Sequence, residues 1–329
     1  MTAPQDPLHP AHDHKRRGTL AIMLTVFGYA CFNIGDAAVK LLAVKFAAPQ
    51  IMVVNGLMVA SCMLAYGAIR QGRAAFRIRN PKWVAMRAVF AVGTGLANVL
   101  ALPHVSLTVF YTLVFTSPFW VAILSALFLG EKLETRRLAV ILSGFAVIAW
   151  ILRPGSDIFN IWSFLVLASA FIYSCSIVTM RYLGTRESRV MIISTGSLLG
   201  VAVMLPFAVQ GWVAITLVDA LQFAALGVTG AVGVACIAYA FQTAPSAAVI
   251  APFHYTQMIW GAILGYLLFS EVPQAQTMIG AALLIGGGLL LIWLEARALR
   301  ALPQDPSLPF RAGGWFSRLR AYSPSPKER

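Results

Sequence analysis

Ten stretches of about 20 mostly apolar residues, each long enough as a helix to cross the hydrocarbon core of a bilayer, set what this chain can fold into. They fall at 19–43, 50–69, 83–102, 106–129, 135–152, 160–181, 188–208, 219–241, 246–269 and 275–295. In hydrocarbon every backbone polar group must be satisfied within the protein, which leaves helices or closed barrels. Lipid-facing barrel strands would alternate polar and apolar residues, and these runs do not. The reading is an all-α polytopic membrane protein with ten transmembrane helices. Composition excludes the alternatives: 59% of residues are hydrophobic and 11% charged, against about 25% charged in a soluble domain. The first stretch outruns a signal-peptide core and no cleavage site follows it, so it reads as a span. Cys31, Cys62, Cys175 and Cys236 lie far apart in apolar stretches and read as small buried hydrophobes.

A net charge of +13 would ordinarily raise the question of nucleic acid. The distribution of the charge answers it. With the N-terminus placed in the cytoplasm, 22 of the 25 Lys and Arg residues fall in cytoplasmic segments, and only Lys40, Lys45 and Arg153 lie outside. That is a positive-inside pattern, so no nucleic-acid partner is expected. Both termini are then cytoplasmic and the bilayer is the inner membrane. Residues 1–18 and 296–329 read as polar, basic tails. His9, His12 and His14 beside Asp13 lack a rigid ligand set, and no metal site is expected.

Residues 106–131 and 246–271 match without gaps at nine of 26 positions, including Thr116/Thr256, Trp120/Trp260 and Glu131/Glu271. Phe27-Gly28-Tyr29-Ala30-Cys31 is echoed by Phe171-Ile172-Tyr173-Ser174-Cys175. The unit is therefore five spans, repeated: 19–152, a connecting loop at 153–159, then 160–295. An odd number of spans inverts the second copy, and inverted repeats are a common architecture of secondary transporters.

The ends of the two halves carry a further signal. One is Leu129-Gly130-Glu131-Lys132-Leu133 followed by a helix through Gly144. The other is Phe269-Ser270-Glu271-Val272-Pro273 followed by Gly280 and Gly286 to Gly288. In these residues the chain resembles the drug/metabolite transporter superfamily, EamA type, over 19–295. Asp36-x-x-x-Lys40, Arg87 and Ala251-Pro252-Phe253-His254-Tyr255 are similar to its S-adenosylmethionine and riboflavin uptake subgroups. The resemblance implies a ten-helix carrier of small metabolites and leaves the substrate open.

Ionisable residues at membrane depth are functional candidates by default. Asp36 and Lys40, four apart, share a helix face with Asn33. They read either as a structural pair near the outer interface or as a gating or proton-coupling group. Arg87 is either a basic anchor or part of the same machinery. His254 lies near the midplane, just after the helix-breaking Pro252, and is followed by Tyr255, Thr256 and Gln257. Tyr111, Thr112, Thr116, Ser117 and Pro118 stand at similar depth in the matching helix. This polar zone is the expected substrate pathway: His254, Tyr255, Gln257, Trp260, Tyr111, Thr116 and Trp120, with Asn98 and Tyr173 as further hydrogen-bonding groups beside Tyr29. Each also has a plain packing role open to it. Glu131 and Glu271 read as structural, bonding loop backbone. Gly227, Gly230 and Gly233 sit inside a span, so they read as close helix packing rather than a dinucleotide loop. There is no Gly-x-x-x-x-Gly-Lys-Ser/Thr loop for ATP, and no cofactor is expected.

The functional expectation is a secondary transporter of a small organic metabolite, working by alternating access around a midplane cavity. Uptake is favoured and export of amino acids or related metabolites is the alternative. A coupling proton and a second copy of the chain are candidate partners. A membrane-embedded enzyme would need a catalytic constellation that the chain does not display. A channel would usually show charged rings or a filter sequence.

Overall fold

The computed structural model describes residues 9–129, 135–152, 158–183, 187–243 and 251–300. Glu131 therefore lies outside the described residues, as do the side chains of the N-terminal histidines. Among the described residues the chain is helical and contains no strand. The helices are α1 (His9–Leu42), α2 (Ala48–Gln71), α3 (Pro81–Ala101), α4 (Leu107–Val114), α5 (Ser117–Leu129) and α6 (Thr135–Ile151) in the first half. The second half holds α7 (Ile161–Leu183), α8 (Arg189–Gln210), α9 (Leu217–Thr243), α10 (Thr256–Phe269) and α11 (Ala275–Arg300). A 3₁₀ turn, Ala251–Tyr255, leads into α10. Seven helical segments are long and apolar enough to span a membrane, and 138–151 and 275–290 form shorter apolar helices.

The fourth span is not continuous. α4 and α5 meet at a break around Phe115 and Thr116, just ahead of Pro118, which has no N–H to give to a helical ladder. The Thr116 N–H and hydroxyl both turn back to the Leu113 carbonyl, at 3.1 and 2.7 Å. In the second half, at the turn into α10, the Thr256 hydroxyl donates to the Phe253 carbonyl, also at 2.7 Å. The paired threonines thus make the same local bond in the two halves.

One end of the bundle collects contacts that fix the direction of every helix. Lys40, at the end of α1, meets Glu271, just past α10. Gln50 at the start of α2 exchanges hydrogen bonds of 2.7 and 3.0 Å with the Val213 backbone, beyond α8. His104, past α3, stacks on Trp162 at the start of α7. Lys45 pairs with Asp219 at the start of α9, and Gln276 of α11 donates to carbonyls at the end of α6. So α1, α3 and α6 end here, whereas their counterparts α7, α9 and α11 begin here. The second five-span unit is inverted relative to the first.

Eight spans close a ring in the order α1, α9, α2, α8, α3, α7, α4–α5, α10 and back to α1, while α6 and α11 pack on each other outside it. Every step around the ring joins one half to the other. The tightest step is α1 on α9. A Cβ on Gly233 would stand 2.9 Å from the Gly28 carbonyl oxygen, and one on Gly28 would stand 2.8 Å from Ile237. A Cβ on Gly227 would press on Met58, whereas Gly230 faces open space. At the opposite end of the bundle, the Glu187 carboxylate accepts the backbone N–H groups of Arg79 and Asn80 and the Asn80 side-chain amide, at 2.6 to 3.1 Å. It clamps the α2–α3 connection to the α7–α8 connection.

Two predictions follow from this packing. Gly233→Val should lower stability by about 1–3 kcal/mol, since backbone cannot step aside. Gly230→Ala should leave the melting temperature in detergent near that of the wild type. For Glu187, partial burial opposes ionisation, but the Arg79 and Asn80 hydrogen bonds outweigh it and hold the carboxyl below its ordinary value. Its contribution to stability is therefore complete above the free-carboxyl value of about 4.3 and is lost as pH falls through the depressed one. Glu187→Gln should lower stability at pH 7 by about 1–3 kcal/mol. Below pH 4 the melting curves of variant and wild type should draw together.

Candidate functional site

The α4–α5 break and the Ala251–Tyr255 turn lie side by side in the ring and bring an aromatic group together. The His254 ring meets Tyr29 of α1 edge-on at 4.8 Å between centroids. It lies 5.8 Å from Phe115, at the α4–α5 break. Phe115 in turn packs on Tyr255 at 5.0 Å. Gln257, the second residue of α10, lies 3.2 Å from His254 Nδ1. Tyr255 is buried with its hydroxyl unpartnered, and its ring lies where a side chain on Gly288 would have to go. Sequence reasoning missed Phe115. Its signal was its place immediately before the polar break.

Toward the latched end, the Tyr111 hydroxyl donates to Asp36 Oδ2 at 2.6 Å. Asn33 is fully buried: its amide donates to the Tyr29 carbonyl at 2.9 Å, while its Oδ1 has no partner. Gly261 of α10 leaves room for the Tyr111 ring and stands beside Asn33 Oδ1. Asp36 and Lys40 share a helix face but do not pair with each other. Lys40 reaches across to Glu271 and donates to the Val105 carbonyl at 2.7 Å. The other Glu271 oxygen accepts the Leu107 N–H at 2.9 Å. One carboxylate thus ties the second half to α1 and to the start of α4. Ser270, the residue with φ of 54°, turns the chain so that Glu271 faces back into this contact.

Other expected residues fall elsewhere. The Trp120 ring packs edge-on against Phe145 of α6 and Phe171 of α7, neither of which touches His254. The Nε1 atoms of Trp120 and Trp260 are both buried without a partner. Asn98 accepts from Ser169 and joins α3 to α7. The Thr116 hydroxyl is spent on the break. Arg87 Nη1 donates to the Ile192 carbonyl at 2.7 Å. Tyr173 lies within electrostatic reach of both Arg87 and Tyr29 and is 39% exposed. Among the described residues no three side chains of metal-binding type come together.

A ring of helices drawn alternately from two inverted halves, broken at mid-depth and tied shut at one end, defines a membrane carrier. A profile of the EamA-like transporter family matches residues 16–153 and 160–293, and the chain belongs to that family. It is similar to a riboflavin transporter of Brucella anthropi, at 30% identity over 68% of this chain and 81% of that one. It is also similar to an S-adenosylmethionine uptake transporter of Rickettsia bellii, at 27% identity over 56% of this chain. That match spans 63% of the Rickettsia protein, under two thirds of its length. A pseudopaline exporter of Pseudomonas aeruginosa is 26% identical over 80% of this chain and 93% of its own. A chain of known crystal structure shares the fold with a TM-score of 0.56 at 19% identity, covering 85% of this chain and 99% of that one.

The Glu271 contact yields a direct test. Glu271→Gln removes the charge that holds Lys40 and should destabilise the protein by about 1–3 kcal/mol. Lys40→Met combined with Glu271→Gln should recover part of that loss, because no unpaired charge then remains. Thermal unfolding of the two single variants and the double variant in detergent measures the coupling.

Proposed function

We propose that the chain is a carrier, not an enzyme or a channel, that takes a small organic metabolite into the cell by alternating access between its two halves. The observation that carries this reading is the Lys40–Glu271–Leu107 tie. It joins the halves at one end of a ring in which every neighbouring pair of helices crosses from one half to the other. Rocking one half on the other would break that tie and open the His254 group to that side. The basic residues favour the inner membrane with both termini in the cytoplasm, which makes the tied end the outer one. The domain division 19–152 and 160–295 follows the same repeat. Uptake is favoured by the names of the Rickettsia and Brucella relatives, and the Pseudomonas relative keeps export as the second reading. Asp36, with Tyr111 as its partner, is the acid best placed to carry a coupling proton.

Purified protein in liposomes, assayed with labelled S-adenosylmethionine and labelled riboflavin, tests this. Saturable counterflow of either compound is the expected result. Asp36→Asn should keep counterflow while losing at least tenfold of any uptake driven by an imposed pH gradient. Ion conductance without counterflow would overturn the carrier reading, and so would chemical conversion of the probe.

A further inference from the structure

Helices α2, α3 and α8 line a half-open cleft of about 220 Å³. Gly56, Gly95, Gly196 and Gly200 are among its lining residues, and Gly56 and Gly196 let α2 and α3 approach α8 closely. Two polar side chains in the lining are unsatisfied. Arg87 has a buried Nε with no partner, and Asn55 has a buried Oδ1 with none. Gly196 lets the guanidinium lie against α8, where a Cβ would stand 3.3 Å from Nη1. No described carboxylate lies within 4 Å of Arg87, whereas Lys40 and Lys45 each have one. Arg87 lies six residues into α3, about 9 Å along it, and an unpaired cation at such a place is expensive unless something compensates it.

We propose that this cavity binds the anionic group, a carboxylate or a phosphate, of the transported molecule, with Arg87 as its counter-ion. This rests on the carrier reading above. The guanidinium offers a planar fork of donors suited to two oxygens of such a group. Asn55 Oδ1 takes an N–H or O–H donor of the same ligand. At 220 Å³ the cavity suits one part of a ligand rather than the whole of a drug-sized one.

The test compares probes that differ in one anionic group. S-adenosylmethionine carries a carboxylate that decarboxylated S-adenosylmethionine lacks, and riboflavin 5′-phosphate carries a phosphate that riboflavin lacks. Binding to the purified full chain is measured by thermal shift in detergent. At least one probe with the anionic group should bind the wild type about 10- to 100-fold more tightly than its partner without it. Arg87→Gln should erase that difference, and Arg87→Lys should retain part of it. Ligand-free Arg87→Met should melt at or above the wild-type temperature, because it removes an unpaired buried charge; a lower value would make Arg87 a structural residue and overturn the proposal. Equal affinity within both pairs would overturn it as well, as would failure of both anionic probes to bind at millimolar concentration. A shift produced by phosphatidylglycerol but by neither anionic probe would assign the site to a lipid headgroup and overturn the substrate assignment. Counterflow of an uncharged probe that ignores Arg87 would sink this proposal while leaving the carrier reading intact.

Discussion

Backbone polar groups within hydrocarbon must be satisfied inside the protein, and the arrangement of this chain depends on how that requirement is met where the regular helix gives way, around Phe115–Thr116 and at the Ala251–Tyr255 turn. At Thr116 and Thr256 the side-chain hydroxyl also donates to a carbonyl three residues back. Each break is thereby tolerated, provided that it faces protein or an aqueous cavity and not lipid. The surrounding helices must then close around both breaks. The ring does so, and it leaves α6 and α11, which carry no such break, on the outside.

The alternation of halves around the ring has a mechanical consequence. Were each half a compact block, relative motion would slide one surface over another. Here the α1–α9, α2–α8 and α3–α7 contacts all belong to the interface between halves, so the halves are interleaved. Gly28 and Gly233 bring two backbones together at one of these steps, which allows a pivot with few side chains to unlock. The ends can part more readily, because they are joined by polar contacts that water can replace. Rigid glycine contacts at depth and exchangeable charge contacts at the ends are what a two-state carrier requires.

Much of this was legible in the sequence, and the reason differs from case to case. Span number and the inversion of the repeat follow from hydropathy and parity, which are local or additive properties. Pro118 and Pro252 marked where the regular helix gives way, because a residue without an N–H acts through its own neighbourhood, whereas the local bond of Thr116, expected in the substrate pathway, was not read. The partner of Lys40 was not legible. The i,i+4 spacing offered Asp36, but Lys40 pairs with Glu271, 231 positions away, while Asp36 accepts from Tyr111. Helix spacing places residues on one face without saying what the next helix presents to that face. Trp120 and Trp260 match in the repeat, yet the packing of Trp120 on α6 and α7 shows that a shared position need not mean a cavity wall. The α2–α3–α8 cavity was invisible for a further reason. It is formed where three helices meet, and no single segment records it.

The treatment of charge separates the two ends of the molecule. At the tied end Lys40 and Lys45 each have an acid, and those two acids also serve the backbone: Glu271 accepts from Leu107, and Asp219 from Thr216. Removing either member would strand its partner, so these pairs are conditional on the halves being together. Arg87 follows another logic. Among the described residues its side chain hydrogen-bonds a carbonyl inside α8, and Gly196 lets the guanidinium approach that helix. A lysine would concentrate its charge on one strongly hydrated ammonium, whereas a guanidinium spreads the charge and is more weakly hydrated. It can therefore sit beside one carbonyl with its remaining donors in reserve. The open space and the unpaired charge explain each other, since a site that must admit an anion repeatedly cannot hold one of its own.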